Sequence, residues 1–127
     1  MASHVQRTLA SLRKSGREAG VVERWIQQAN KRIDLFGFID LVSLDPHSGS
    51  IVAVQVCAAS SLAAHRKKIT GECGHLSRAW LECGGIIELW GWRKQKIKRG
   101  GTAYRWIPVV EQIQYQDGWQ INRLDKS

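Results

Sequence analysis

Two apolar runs constrain this chain more than any other stretch: Asp34-Leu-Phe-Gly-Phe-Ile-Asp40-Leu-Val-Ser-Leu44 and Ile51-Val-Ala-Val-Gln55-Val-Cys57. Between them lies Asp45-Pro-His-Ser-Gly-Ser50, a cluster of turn formers. Runs rich in β-branched residues around such a cluster predict a β-hairpin or two adjacent strands. Strand side chains alternate between faces, so Gln55 and Cys57 share one face. Asp40 sits where a buried strand favours an apolar residue. If the two strands pair, Asp40 and Gln55 converge on one patch. A carboxylate among apolar neighbours needs a partner, because an unpaired buried charge is costly. A divalent metal, Lys68 and a plain hydrogen bond at a sheet edge are the alternatives.

The rest of the chain predicts a layered domain around these strands. Ser3 caps a helix over residues 4–15, with Val5, Leu9 and Leu12 as its apolar stripe and Gly16 as its stop. Residues 18–26 read as a first strand and 27–32 as a polar loop. A helix over 62–69 carries Arg66, Lys67 and Lys68. Gly71 to Gly74 breaks the pattern before a short helix over 76–83, which ends at Gly84 and Gly85. Residues 86–92, apolar on both faces, predict an internal strand. Residues 93–101 read as a basic hairpin loop, 102–110 as a returning strand and 113–119 as a weak edge element. The tail from Asn122 is expected to fray. This order predicts one α/β domain over residues 1–127, a mixed central sheet of about five strands flanked by helices.

The formal net charge of +8 favours a polyanionic partner. The basic candidates for phosphate contact are Arg66, Lys67, Arg93, Lys94, Lys96, Lys98 and Arg99. His47 and His65 are further candidates for contact. Trp106, across the basic loop, could stack on a base, whereas Trp90 and Trp92 alternate with Gly91 and read as core. No run approaches the roughly 20 apolar residues of a membrane span, and residues 1–7 lack a signal-peptide core. The cysteines, Cys57, Cys73 and Cys83, form no CxxC pair and suit a reducing, cytoplasmic setting. Cys73 and His75 could recruit Cys83 as zinc ligands, though the spacing fits no familiar zinc ribbon.

Helix, strand, a strand with a central Asp, a strand with an acid or amide two residues before a Lys, then a helix: this order resembles the PD-(D/E)XK nuclease superfamily. The resemblance is nearest to its small Holliday-junction-resolvase-like and phage-encoded members. It rests on Asp40 in Phe38-Ile-Asp40-Leu-Val and Gln55 in Ala53-Val-Gln55-Val-Cys57, and covers residues 4–92. It implies a restriction-endonuclease-like fold and Mg²⁺- or Mn²⁺-dependent cleavage of DNA phosphodiesters, with branched DNA as one substrate. It implies Asp40, Gln55, Glu23 and the Val56 position as metal-binding, with Asp34 the alternative to Glu23. It further implies a homodimer in the cytoplasm of a bacterial or phage-infected cell. Two departures stand out. Gln55 occupies a position that usually holds Glu or Asp, and Cys57 occupies the motif lysine's position. In some divergent relatives the following helix supplies the lysine; Lys68 fits that role, with Lys67 the alternative. Cys57 equally suits a nuclease fold that has lost catalysis and binds nucleic acid or a partner protein. A small basic interaction protein without nuclease ancestry would fit if the Asp40 and Gln55 strands were not neighbours.

Overall fold

The computed structural model describes residues 3–124, in which three α-helices pack on a mixed six-stranded sheet beside a separate two-stranded hairpin. Helix α1 (His4–Lys14) starts with a capping box: the Ser3 hydroxyl accepts from the Gln6 amide while the Gln6 side chain accepts from the Ser3 N–H. The sheet comprises β1 (Glu18–Val21), β4 (Leu41–Asp45), β5 (Ser50–Ala58), β6 (Ile86–Lys96), β7 (Tyr104–Tyr115) and β8 (Trp119–Leu124), in the order β1-β4-β5-β6-β7-β8. Every neighbouring pair is antiparallel except β5 and β6. A parallel pair needs a long crossover. It is supplied by α2 (Leu62–Lys67), a π turn over Lys68–Glu72, and α3 (Gly74–Glu82).

The sheet carries a core on each face. Leu12 of α1 packs with Leu41, Val52, Val54, Val56, Trp90, Trp92 and Val110 on one side. On the other, Leu62 and Ile69 pack with Ala53, Cys57, Ile87, Leu89 and Ile113. The alternation along β5 thus puts Gln55 and Cys57 under α2, as expected from their shared parity. Trp90 and Trp92 belong to the α1 core, with Trp92 Nε1 donating to Thr8 Oγ1 at 2.8 Å. Helix α2 sits close to the sheet because Gly91 of β6 lacks a side chain: a Cβ there would lie 2.7 Å from Leu62 Cγ.

Several expectations need correction. The predicted strand over 18–26 ends at Val21; the Val22 and Glu23 amides turn instead to the Asp40 carbonyl at 3.0 and 3.4 Å. Arg24–Ile26, within the predicted strand, form a separate strand β2 that pairs with Lys31–Ile33 (β3), of which residues 31 and 32 fall in the predicted loop. Asp34 is not on the Asp40 strand. That strand begins at Leu41, and residues 34–39 form a compact turn with Phe36 at φ 56° and Gly37 at φ 82°. A side chain at residue 37 would be strained in that conformation, and its Cβ would stand 3.1 Å from Cys73 Sγ. The basic loop is shorter than expected, because β6 runs to Lys96 and β7 begins at Tyr104 with ten residue pairs between them. The weak edge element is instead the end of β7 followed by β8, so Asn122 to Leu124 are paired and not frayed; the remaining tail lies outside the described residues. No helix among the described residues is long and apolar enough to cross a membrane.

Gly91→Ala is expected to destabilise the fold by about 1–3 kcal/mol through overpacking against Leu62. Urea unfolding measures it, and an unchanged midpoint would mean that α2 can lift from the sheet without cost.

Candidate metal centre

The pairing of β4 with β5 brings Asp40 level with the end of β5 where Gln55 lies. The Asp40 amide donates to the Val54 carbonyl at 2.9 Å, continuing the ladder one step beyond Leu41. The Asp40 side chain turns back onto β5. Its Oδ2 accepts from the Val56 N–H at 2.8 Å and from Gln55 Nε2 at 3.0 Å. The 34–39 turn delivers Asp34 to the same point, and Gln55 Nε2 also donates to Asp34 Oδ2 at 3.3 Å. Glu23 arrives from the segment that follows β1. Carboxylate oxygens of Glu23, Asp34 and Asp40 all lie within 4.8 Å of one another, the one such His/Cys/Asp/Glu group among the described residues. Cys73, His75 and Cys83 form no such group.

Lys68 opens the π turn below α2, and its Nζ stands 3.4 Å from Asp34 Oδ2. A π turn inserts an extra residue per turn and is common at functional positions. Lys67 is exposed. Cys57, where the resemblance places a lysine, is buried. Its thiol is pushed up to about 11, first by burial and then by Asp40 and Glu111, with Arg66 opposing. It therefore stays neutral, and the positive charges at this patch are Lys68 against Asp34 and Arg32, whose Nη1 stands 3.4 Å from Glu23 Oε1.

Burial pushes the Asp40 carboxyl up to about 8, and Asp34 adds to the shift by hydrogen bonding and repulsion; the Val56 and Gln55 donors oppose it. Comparison with the other buried acids makes the difference plain. Asp40, Glu88 and Glu111 are 5%, 3% and 7% exposed. Glu88 holds Arg17 in a two-pronged pair at 3.1 and 3.3 Å, and Glu111 holds Arg66 at 2.6 and 3.1 Å. Asp40 has no cation at ion-pair distance among the described residues; its nearest charged neighbour is another acid. Gln55 is 2% exposed, and its Oε1 has no hydrogen-bond partner. Gln55 turns its Nε2 to Asp34 and Asp40 and leaves its oxygen orphaned, so a half-turn of the amide would add that oxygen to the carboxylates as the donor set of a hard divalent cation. Glu23, Asp34, Asp40 and Gln55 fit such an ion. The Val56 position contributes its N–H to Asp40.

Of the basic candidates, Arg66 is committed to Glu111 and Lys67 is exposed beside the site. Arg93, Lys94, Lys96, Lys98 and Arg99 are all exposed. Trp106 is half-buried against α1: His4 meets it edge-on at 5.0 Å, and Arg7 and Lys94 lie over its ring at 4.1 and 5.3 Å. His47 is exposed in the β4–β5 turn. Burial and then Lys68 lower the pKa of His65, whose Nδ1 is buried without a partner. Sequence reasoning did not single out Arg24 or Phe36, which border the acids. The conformation at residue 36, which a phenylalanine does not announce, is what brings them there.

Fold and site together define an α/β domain with an acid cluster, one flanking lysine and a basic strand extension. No family model, no curated protein and no solved structure matches the chain.

Asp40 moves from 3.8 to about 8 on folding. Between those values the folded state holds a proton that the unfolded chain has lost, so this residue's contribution to stability is full at low pH and falls as pH rises. In EDTA the melting temperature is expected to decline between about pH 4 and pH 8, and less so for Asp40→Asn. Mn²⁺ should raise it more at the upper end of that range. Identical profiles for both proteins would refute a buried, protonated Asp40.

Proposed function

We propose that this chain is a divalent-metal-dependent DNA phosphodiesterase of the PD-(D/E)XK type, a Gln variant whose lysine has moved from the strand to the following helix. The observation that carries the reading is the convergence of Asp40, Asp34, Glu23, the Gln55 amide and Lys68 at one sheet end. The chain order α1-β1-β4-β5-α2-β6, with the β2–β3 hairpin inserted after β1 and α3 after α2, and the mixed sheet support a restriction-endonuclease-like fold.

The residue roles follow from their positions. Asp40, Asp34 and Glu23 would hold Mg²⁺ or Mn²⁺ through carboxylate oxygens, with the Gln55 amide turned to offer its unpartnered oxygen. The bound ion would supply Lewis acidity, polarising the scissile phosphate and acidifying a water. Asp40 must give up its proton to join the set, so occupancy is favoured as pH rises. Lys68, held against Asp34, sets a fixed positive charge where charge grows on the phosphate oxygens. Arg93, Lys94, Lys96, Lys98 and Arg99 extend along the strands past the site and would grip backbone phosphates, which position DNA without specifying sequence. Branched DNA is a fitting substrate, and a homodimer would present paired sites to it.

The neutral thiol at Cys57 favours a second reading, a nuclease fold that binds DNA without cutting it. Cleavage of labelled linear, single-stranded and four-way-junction DNA with Mg²⁺, Mn²⁺ or EDTA separates the two. Metal-dependent cutting is expected, falling at least about a thousandfold in Asp40→Ala. Lys68→Ala should lose about 10²- to 10³-fold, and Lys67→Ala little. Binding without cutting under every metal would select the second reading, and cutting that survives Asp40→Ala would exclude this site.

A further inference from the structure

The β2–β3 hairpin plays no part in the sheet, yet the sheet register places it beside the acids. Val21, Leu41, Val54 and Glu88 lie in one line across β1, β4, β5 and β6. Beyond that line, at the same end of the sheet, follow in order the β2–β3 hairpin with Glu23, then Asp40, then Gln55 and Val56, then the basic extension Arg93–Lys96. The acid cluster is thus flanked by a projecting hairpin on each side. One is the basic β6–β7 extension. The other carries a cleft of about 390 Å³ lined by Val22, Arg24, Ile33, Asp34, Leu35 and Phe36.

The lining has two halves. Ile33, Leu35 and Phe36 are 39%, 37% and 48% exposed, a contiguous apolar surface of the kind that marks a binding site. Arg24 adds a guanidinium, and Asp34 is shared with the acid cluster, so whatever enters the cleft adjoins the acids. Phe36 holds its ring there from a left-handed backbone, φ 56°, that a bulky residue rarely adopts. The turn is fixed by the Gly37 amide on the Asp34 carbonyl at 3.1 Å and by paired bonds between Leu35 and Ile39 at 2.9 and 3.0 Å. Strain of this sort clusters where a side chain is held for a ligand.

From this arrangement we infer that the cleft takes one unpaired nucleotide of the DNA strand, its base against Phe36, Ile33 and Leu35 and its phosphate on Arg24. The inference rests on the nuclease reading and narrows its substrate to DNA with unpaired bases next to the scissile bond: gaps, forks or branch points. A base in an intact duplex hides its faces in the stack and cannot enter; a splayed base can stack on an aromatic ring whatever its identity. The positive charge of the chain, +8 overall, selects a polyanion over an apolar peptide for a cleft that an arginine borders.

Fluorescence anisotropy in EDTA, where no cutting occurs, tests this with a labelled continuous duplex and the same duplex bearing a single-stranded gap. The full chain should prefer the gapped form. Phe36→Gly and Arg24→Ala should each weaken gapped binding roughly tenfold while changing duplex binding less than about threefold. Phe36→Gly should melt no lower than the parent, because glycine relieves the left-handed strain. Trp25, 54% exposed and paired with Arg32 on the alternate face of the same hairpin, is the control; Trp25→Ala should leave the gap preference intact. The inference is overturned if the gap preference is absent, if Phe36→Gly weakens both DNAs alike, or if Trp25→Ala acts as Phe36→Gly does. It is also overturned if Phe36→Gly dissociates a dimer on sedimentation, since the cleft would then hold a second copy. Metal-dependent cutting with the gap preference absent would sink the inference and spare the nuclease reading. No binding to either DNA would sink both.

Discussion

The structure depends on how one buried carboxyl is accommodated. Asp40 ties its own segment to two others: its amide bonds Val54 of β5, its carbonyl takes the Val22 and Glu23 amides after β1, and its side chain takes the Val56 amide and the Gln55 side chain of β5. An ionised group at that depth costs several kcal/mol unless something balances it. The chain solves the same problem twice elsewhere with arginine, at Glu88 with Arg17 and at Glu111 with Arg66. At Asp40 it does the reverse and adds a second acid, Asp34. Neutral donors and a retained proton hold the carboxyl in place there.

This view explains why the surroundings are built as they are. Lys68 approaches Asp34 and stops there, which leaves Asp40 without a cation at ion-pair distance among the described residues. Gln55 spends its amide N–H on both aspartates and leaves its oxygen unpartnered. The thiol of Cys57 adds no charge to the patch. Gly91 lets α2 settle on the sheet at the depth from which Lys68 reaches the acids. The two flanking hairpins follow from strand lengths: β1 ends level with the site and hands the chain to β2, whereas β6 continues past it.

What could be read in the sequence was local. The capping residue and apolar stripe of α1, the turn between β4 and β5, and the parity of Gln55 and Cys57 each depend on neighbours within a few residues. Lys68 was legible for the same reason, since its helix follows directly on the Gln55 strand. The spacing from Asp40 predicts Asp34 on the same strand; it arrives instead by a reversal at Phe36 and Gly37, and phenylalanine does not advertise a left-handed backbone. Lys31 and Arg32 carry no strand alternation, so the β2–β3 hairpin was hidden in a polar segment. Arg66 looked like a phosphate contact because Glu111, 45 residues away, becomes its partner only once β7 is placed. Pairings of that kind are set by the sheet order, which local periodicity does not encode.

The proposed metal site requires Asp40 to hold a proton near neutral pH and to release it when a divalent cation binds. Titration calorimetry of Mn²⁺ at about pH 7, repeated in buffers of different ionisation enthalpy, reads that directly, because metal binding to a protonated ligand releases the proton. Saturable binding with a buffer-dependent heat that reports proton release is expected, with loss of that release in Asp40→Asn. Absence of binding, or binding with the same buffer-independent heat in both proteins, would contradict it.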